Sequence, residues 1–158
     1  MTEPMKNVYV ACSMIKSKQI DFSLLDLIVN WVEKQGFQAF VPGKMEDTSP
    51  KIVFERDLNW LRQSDIIIAD VNEPSHGVGM EIMYAYEHSI PVLCLLDVNN
   101  KPLSRMVEGS PHIYLLIYKD NDSLAKELKE LSLDKMKIVH CEKCEDITFH
   151  LNKKCEKC

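Results

Sequence analysis

Five short apolar runs recur along the chain, NVYVACS, FQAFVP, DIIIADV, PVLCLLDV and HIYLLIY, each rich in β-branched or aromatic residues. Segments of helical period separate them, and strands that alternate with helices are best buried as a parallel sheet covered on both faces. The expected fold class is therefore α/β, a five-stranded, mainly parallel sheet with helices on both sides. A chain of 158 residues that is 46% hydrophobic suits one main domain with its own core. Between the first two runs, Leu24, Leu25, Ile28, Trp31 and Val32 repeat at helical spacing and Gly36 follows as a stop, so this helix reads as scaffold.

The net charge of -5 carries no block of like charge, which gives no support to wrapping a nucleic-acid backbone or coating an anionic membrane. Any nucleotide bound is expected to be small. The opening MTEPMKNVYVACSM has an early acid and proline and only a short apolar run, unlike a secretory signal or a membrane span, so a cytoplasmic location is expected. Cys12 and Cys94 sit alone in apolar runs and read as buried thiols.

A second helix is expected to open at Ser49-Pro50, a capping hydroxyl followed by proline, and to run to about Gln63. Projected at about 100° per residue, Val53, Phe54, Trp60 and Leu61 share a broad apolar arc, with Glu55, Arg56, Asn59 and Arg62 opposite. Asp57 falls in the middle of the apolar arc. A carboxylate there is either bonded to a neighbouring element or placed in a cleft for chemistry, because burying it uncompensated is costly.

The run DIIIADV leads into NEPSHGVGME and then a helix, which puts the loop at the carboxyl edge of the sheet, where open α/β folds bind ligands. Gly77 and Gly79 allow close backbone approach, the helix N-terminus offers free N–H groups to a phosphate, and Ser75 adds a hydroxyl. A G-x-G at a helix start also serves close packing alone. Glu81 is expected in the first turn, where the helix dipole favours its ionised form and where acids are common for stability. With Asp57 and with Asp70 at the strand end, it would place three carboxylates around one cleft. Two carboxylates in unequal environments are what glycosidic cleavage needs, one at the anomeric carbon and one to handle the leaving group's proton.

The stretches VYVACS, ERDLNWLRQSDIIIADVNEPSHGVGMEI and PVLCLLDVNNKPLSRMVEG resemble the nucleoside 2-deoxyribosyltransferase superfamily, most closely its 2'-deoxynucleoside 5'-phosphate N-hydrolase branch, over roughly residues 8 to 118. The resemblance implies a Rossmann- or flavodoxin-like sheet. It also implies that Glu81 is the nucleophile on C1' of the deoxyribose, giving a covalent intermediate that water resolves, and that Asp57 assists the departing base. Tyr9 matches a strand-end tyrosine lining the sugar site, while Ser13, Ser75, Gly77 and Ser104 match phosphate-contacting positions. In that family the serine of PLSRM comes from the partner subunit, so a homodimer with shared sites is implied. In this chain the first loop reads CSMIKSK where the family usually has G-S-I-R-G-G, with Cys12 for glycine and Ile15 for arginine.

A last helix is expected over roughly Ser123 to Leu131, and the composition changes at about Lys137, dividing the chain into residues 1–136 and an appended module at 137–158. Cys141, Cys144, Cys155 and Cys158 make C-x2-C-x10-C-x2-C, the spacing of a closed tetrahedral zinc site of ribbon type. Such a Zn2+ is structural and leaves catalysis without a cofactor. The module is expected to serve structure, or contact with protein or nucleic acid.

The leading expectation is hydrolysis of a deoxynucleoside 5'-monophosphate to a free base and deoxyribose 5-phosphate. The alternatives are base exchange through the same Glu81 intermediate, and a non-catalytic nucleotide-binding or nucleic-acid adaptor protein.

Overall fold

The computed structural model describes residues 5–13, 22–46, 48–143 and 147–150. Strands β1 (Asn7–Ala11), β2 (Gln38–Phe40), β3 (Ile66–Asp70), β4 (Val92–Asp97) and β5 (Ile113–Tyr118) form one sheet in the order β2-β1-β3-β4-β5. All its pairings are parallel. The interior strands are covered on both sides, which explains why their sequences are continuous apolar runs rather than alternating ones.

Each strand still presents successive residues to opposite faces. On β1, Val8 and Val10 join a core with Leu24, Leu25, Ile28 and Leu124, contributed by helices α1 (Phe22–Lys34) and α5 (Asn121–Glu130). Tyr9 and Ala11 join a second core with Leu61, Val78, Ile82 and Ala85, from helices α2 (Pro50–Arg62) and α3 (His76–Glu87). A short helix α4 (Arg105–Glu108) lies between β4 and β5 in the chain. Gly36, with φ of 82°, ends α1 in the left-handed conformation that glycine adopts at low cost.

Two helices differ from their sequence pattern. The last one begins at Asn121, because Asp120 caps it and forms a reciprocal capping box with Ser123; Ser123 thus lies inside the first turn. In α2, Ser49 caps as expected, accepting from the Ile52 N–H at 3.4 Å. However, Leu61 is the one wholly buried residue of α2, and Phe54 is exposed. Arg56, expected opposite Asp57, bends back onto it.

Residues beyond the main sheet form β6 (Lys137–His140) and β7 (Ile147–His150), an antiparallel pair that makes a separate two-stranded sheet. Cys141 follows β6 directly. The other expected zinc ligands, Cys144, Cys155 and Cys158, lie outside the described residues, and the described ones contain no group of three or more metal-binding side chains. Among the described residues no helix is long and apolar enough to cross a membrane.

Candidate active site

The strand order reverses at β1, which has β2 on one side and β3 on the other. Crossovers there leave on opposite faces, and the gap between them at the carboxyl ends is the place where this architecture opens a crevice. The carboxyl edge of β1 and β3 carries Ser13, just past β1, and Asp70, the last residue of β3. Ser13 is half-buried.

Tyr9 is fully buried, and its hydroxyl donates to Glu81 Oε1 at 2.6 Å. The phenol comes from mid-strand rather than from the strand end, facing α3 because its neighbours in register, Phe40 and Ile67, fix it on that side of the sheet. Burial pushes its pKa far up, reinforced by the charges of Glu81 and Asp57, so it remains a donor at any ordinary pH.

Glu81 corrects an expectation. Helix α3 starts at His76, so Glu81 stands in its second turn and no acid occupies the first. The helix dipole fades over that distance, and burial dominates instead: the carboxyl is pushed up to about 7, lowered in part by the Tyr9 hydrogen bond and raised by the charge of Asp57. Near neutral pH it can therefore exist in either protonation state.

Asp57 reaches this pair from α2. Its Oδ1 accepts from Arg56 Nε at 2.7 Å, with both side chains largely buried. Asp70 Oδ1 accepts from the Asn72 backbone N–H at 3.1 Å and from Asn72 Nδ2 at 2.7 Å. Asn72 in turn donates to the Tyr118 hydroxyl and accepts from the Asp97 N–H, tying the ends of β3, β4 and β5 together. Cys12 is raised to about 11, mainly by burial and then by the fields of Asp70 and Glu81, which makes it a poor nucleophile. A Cβ placed on Gly43 would lie 2.7 Å from Cys12 Sγ, so the thiol fills the space that this glycine leaves.

Ser75 caps α3, its Oγ accepting from the Val78 N–H at 3.4 Å. Gly77 and Gly79 follow, exposed; a Cβ would meet only Ser75 Oγ at 3.8 Å in the first case and nothing within 4 Å in the second. Packing among the described residues therefore does not require either glycine, although each disfavours the helix by about 1 kcal/mol relative to alanine.

Ser104 stands apart from Tyr9, Asp57 and Glu81. It precedes α4, exposed and with no capping bond from its hydroxyl. It lines a cavity of about 420 Å³ with Gly79, Ile82, Met83, Tyr86 and Met106, to which Tyr9, Asp57 and Glu81 do not contribute.

A family model described as nucleoside 2-deoxyribosyltransferase matches residues 8–138. The chain belongs to this family.

Among relatives, a protein provisionally named 2'-deoxynucleoside 5'-phosphate N-hydrolase 1 from Syntrophotalea carbinolica is 40% identical over 94 residues, 59% of this chain and 65% of that protein. The 5-hydroxymethyl-dUMP N-hydrolase of Mus musculus is 32% identical over 109 residues, 63% of each chain. The chain thus spans just under two thirds of the length of these two relatives. The solved structure of a CMP N-glycosidase from Clostridium botulinum superposes with a TM-score of 0.63 at 20% identity, covering 79% of this chain and 99% of that one. At that identity the likeness speaks for the fold.

Within this nucleoside 2-deoxyribosyltransferase fold, sequence reasoning overlooked Arg56 and Asn72. Adjacent helix positions point apart, so a helical projection separates Arg56 from Asp57, whereas a long arginine stem can return to its neighbour. Asn72 had a signal, an amide two residues after a strand-end aspartate, the spacing of a local Asx turn.

Proposed function

We propose that this chain hydrolyses the N-glycosidic bond of a 2'-deoxynucleoside 5'-monophosphate, yielding a free base and deoxyribose 5-phosphate. The observation that carries this reading is the buried Tyr9–Glu81 hydrogen bond at 2.6 Å beside Asp57, at the strand-order reversal. A carboxylate poised near 7 is available as a nucleophile, and the phenol both orients it and favours its ionised form. Glu81 attacks C1', the C1'–N bond breaks, and the bonding pair leaves with the base, which takes up a proton on the Asp57 side. Water then displaces Glu81 from C1', returning the carboxylate and giving up one proton. The glycine-containing N-terminus of α3, capped by Ser75, together with Ser13 at the carboxyl edge of β1, suits the 5'-phosphate. The names of the relatives, N-hydrolases acting on deoxynucleotides, support the substrate class.

Two further parts of the reading are separable. Met80, Met83, Tyr86 and Met106 are exposed on α3 and α4, and a second copy covering them would bring a Ser104 hydroxyl to its neighbour's site. The four cysteines would hold a structural zinc, supported by their spacing and by Cys141 opening the connection between two antiparallel strands.

Incubating the purified protein with deoxynucleoside 5'-monophosphates, with and without an acceptor base, tests the reaction. Free base released without acceptor is expected. Base exchange faster than hydrolysis would make it a transferase, and nucleotide binding without turnover would make it an adaptor. Light scattering and metal analysis address the dimer and the zinc.

A further inference from the structure

Beside Asp57 lies a cation to which the chemistry above gives no part. Arg56 Nε donates to Asp57 Oδ1 at 2.7 Å, and the two side chains are only 18% and 15% exposed. Its guanidinium carbon stands 5.7 Å from the centroid of Trp60, which is stacked on Phe40 of β2 at 4.5 Å. An arginine that turns back on the next residue has left its natural helical direction, and the stacked aromatic pair accounts for its being held there. An exposed ion pair would count for little. This one is mostly withdrawn from water, where removing one partner leaves the other charge uncompensated.

The groups around the pair come from four elements, α2, α3, β1 and β3. Glu81 of α3 is faced by Tyr9 of β1 and by Asp57 of α2, and Cys12, just past β1, senses both Asp70 and Glu81. Two of these are carboxylates that act on one another, and the positive field felt at Tyr9 comes from Arg56.

We propose that Arg56 is a positioning residue: it fixes the Asp57 carboxylate beside the Tyr9–Glu81 pair and compensates its charge there, so that Glu81 can ionise next to a second acid. The catalytic consequence rests on the proposed hydrolysis; the electrostatic one does not.

The full-length protein and its Arg56→Gln and Arg56→Lys variants separate these effects by 13C-carboxyl NMR titration of Glu81, assigned through Glu81→Gln, alongside the pH dependence of hydrolysis. Loss of the cation in Arg56→Gln should raise the Glu81 midpoint by about one pH unit and carry the acid limb of the rate profile with it. Arg56→Lys keeps the charge and loses the planar fork, so its midpoint stays near that of the unaltered protein while turnover drops severalfold. If Arg56 merely braces α2 through Trp60, Arg56→Gln lowers the melting temperature and leaves midpoint and limb in place, which overturns the proposal. Should Arg56→Gln not fold, undiminished turnover in Arg56→Lys overturns the positioning role. If the unaltered protein hydrolyses nothing, the hydrolase reading fails, and the carboxyl titration still decides for or against Arg56.

Discussion

Strand β1 sends Val8 and Val10 to one face of the sheet and Tyr9 and Ala11 to the other, and the two faces are built differently. The α1/α5 side is closed: Leu24, Leu25, Ile28, Val32, Leu124 and Leu128 are all buried, and both helices have a distinct apolar stripe. The α2/α3 side is less complete. Leu61 is the one fully buried residue of α2, Ile52, Phe54, Met80 and Met83 are exposed, and a phenol and a carboxyl occupy core space. The difference teaches that one face maintains the fold while the other gives up packing to hold polar groups out of water, where a carboxyl's affinity for its proton can be tuned.

The sharpest way to break this comparison is Glu81→Gln, which should reduce hydrolysis about 10³-fold or more while leaving nucleotide binding measurable, since the amide keeps the shape and loses the proposed nucleophile. A variant with near-normal turnover would remove the functional meaning of the open face. Next in size, Ile28→Ala on the closed face should cost about 2–5 kcal/mol in urea unfolding. Phe54→Ala on the open face should stay within about 0.5 kcal/mol. Equal costs would erase the distinction between the faces.

The buried carboxyl also predicts a pH signature. Glu81 titrates at about 7 in the folded chain and at its ordinary 4.5 when unfolded. Between those values the folded state holds a proton that the unfolded state has released, so stability falls as pH rises through this window, and the full cost persists above it. Glu81→Gln abolishes that cost, and the variant should gain about 3 kcal/mol at pH 8 relative to its effect at pH 4. Denaturation at the two pH values measures it, and a pH-independent difference would show that Glu81 is not tuned by burial. A smaller effect on the chemistry concerns Tyr9→Phe. Loss of the donor raises Glu81 above 7, so turnover at pH 7 should fall about tenfold and recover towards pH 9.

Much of this arrangement is written in local patterns. The strands are apolar because both sides are covered, α1 has its stripe and stop, and Asp57 stands out as a charge on an apolar arc. The pattern misjudged features that depend on three-dimensional context. The start of α3 at His76 moves Glu81 one turn inward, which replaces dipole stabilisation by burial as the governing influence on its charge. Helical angle alone places Arg56 opposite the apolar arc, whereas its stem length and the Phe40–Trp60 stack decide where it goes. Tyr9 belongs to a run that reads as plain strand, and only the sheet's register turns its hydroxyl towards α3.

The contact between Cys12 and Gly43 ties together two positions far apart in the chain. Sulfur occupies the volume that a side chain at 43 would need, so the thiol must shift if that site enlarges. Gly43→Ala should be poorly tolerated alone and much better tolerated together with Cys12→Gly, a non-additive pair of the kind expected of residues in direct contact. The two positions therefore form a single steric unit, and substitutions across this family are expected to change them in step.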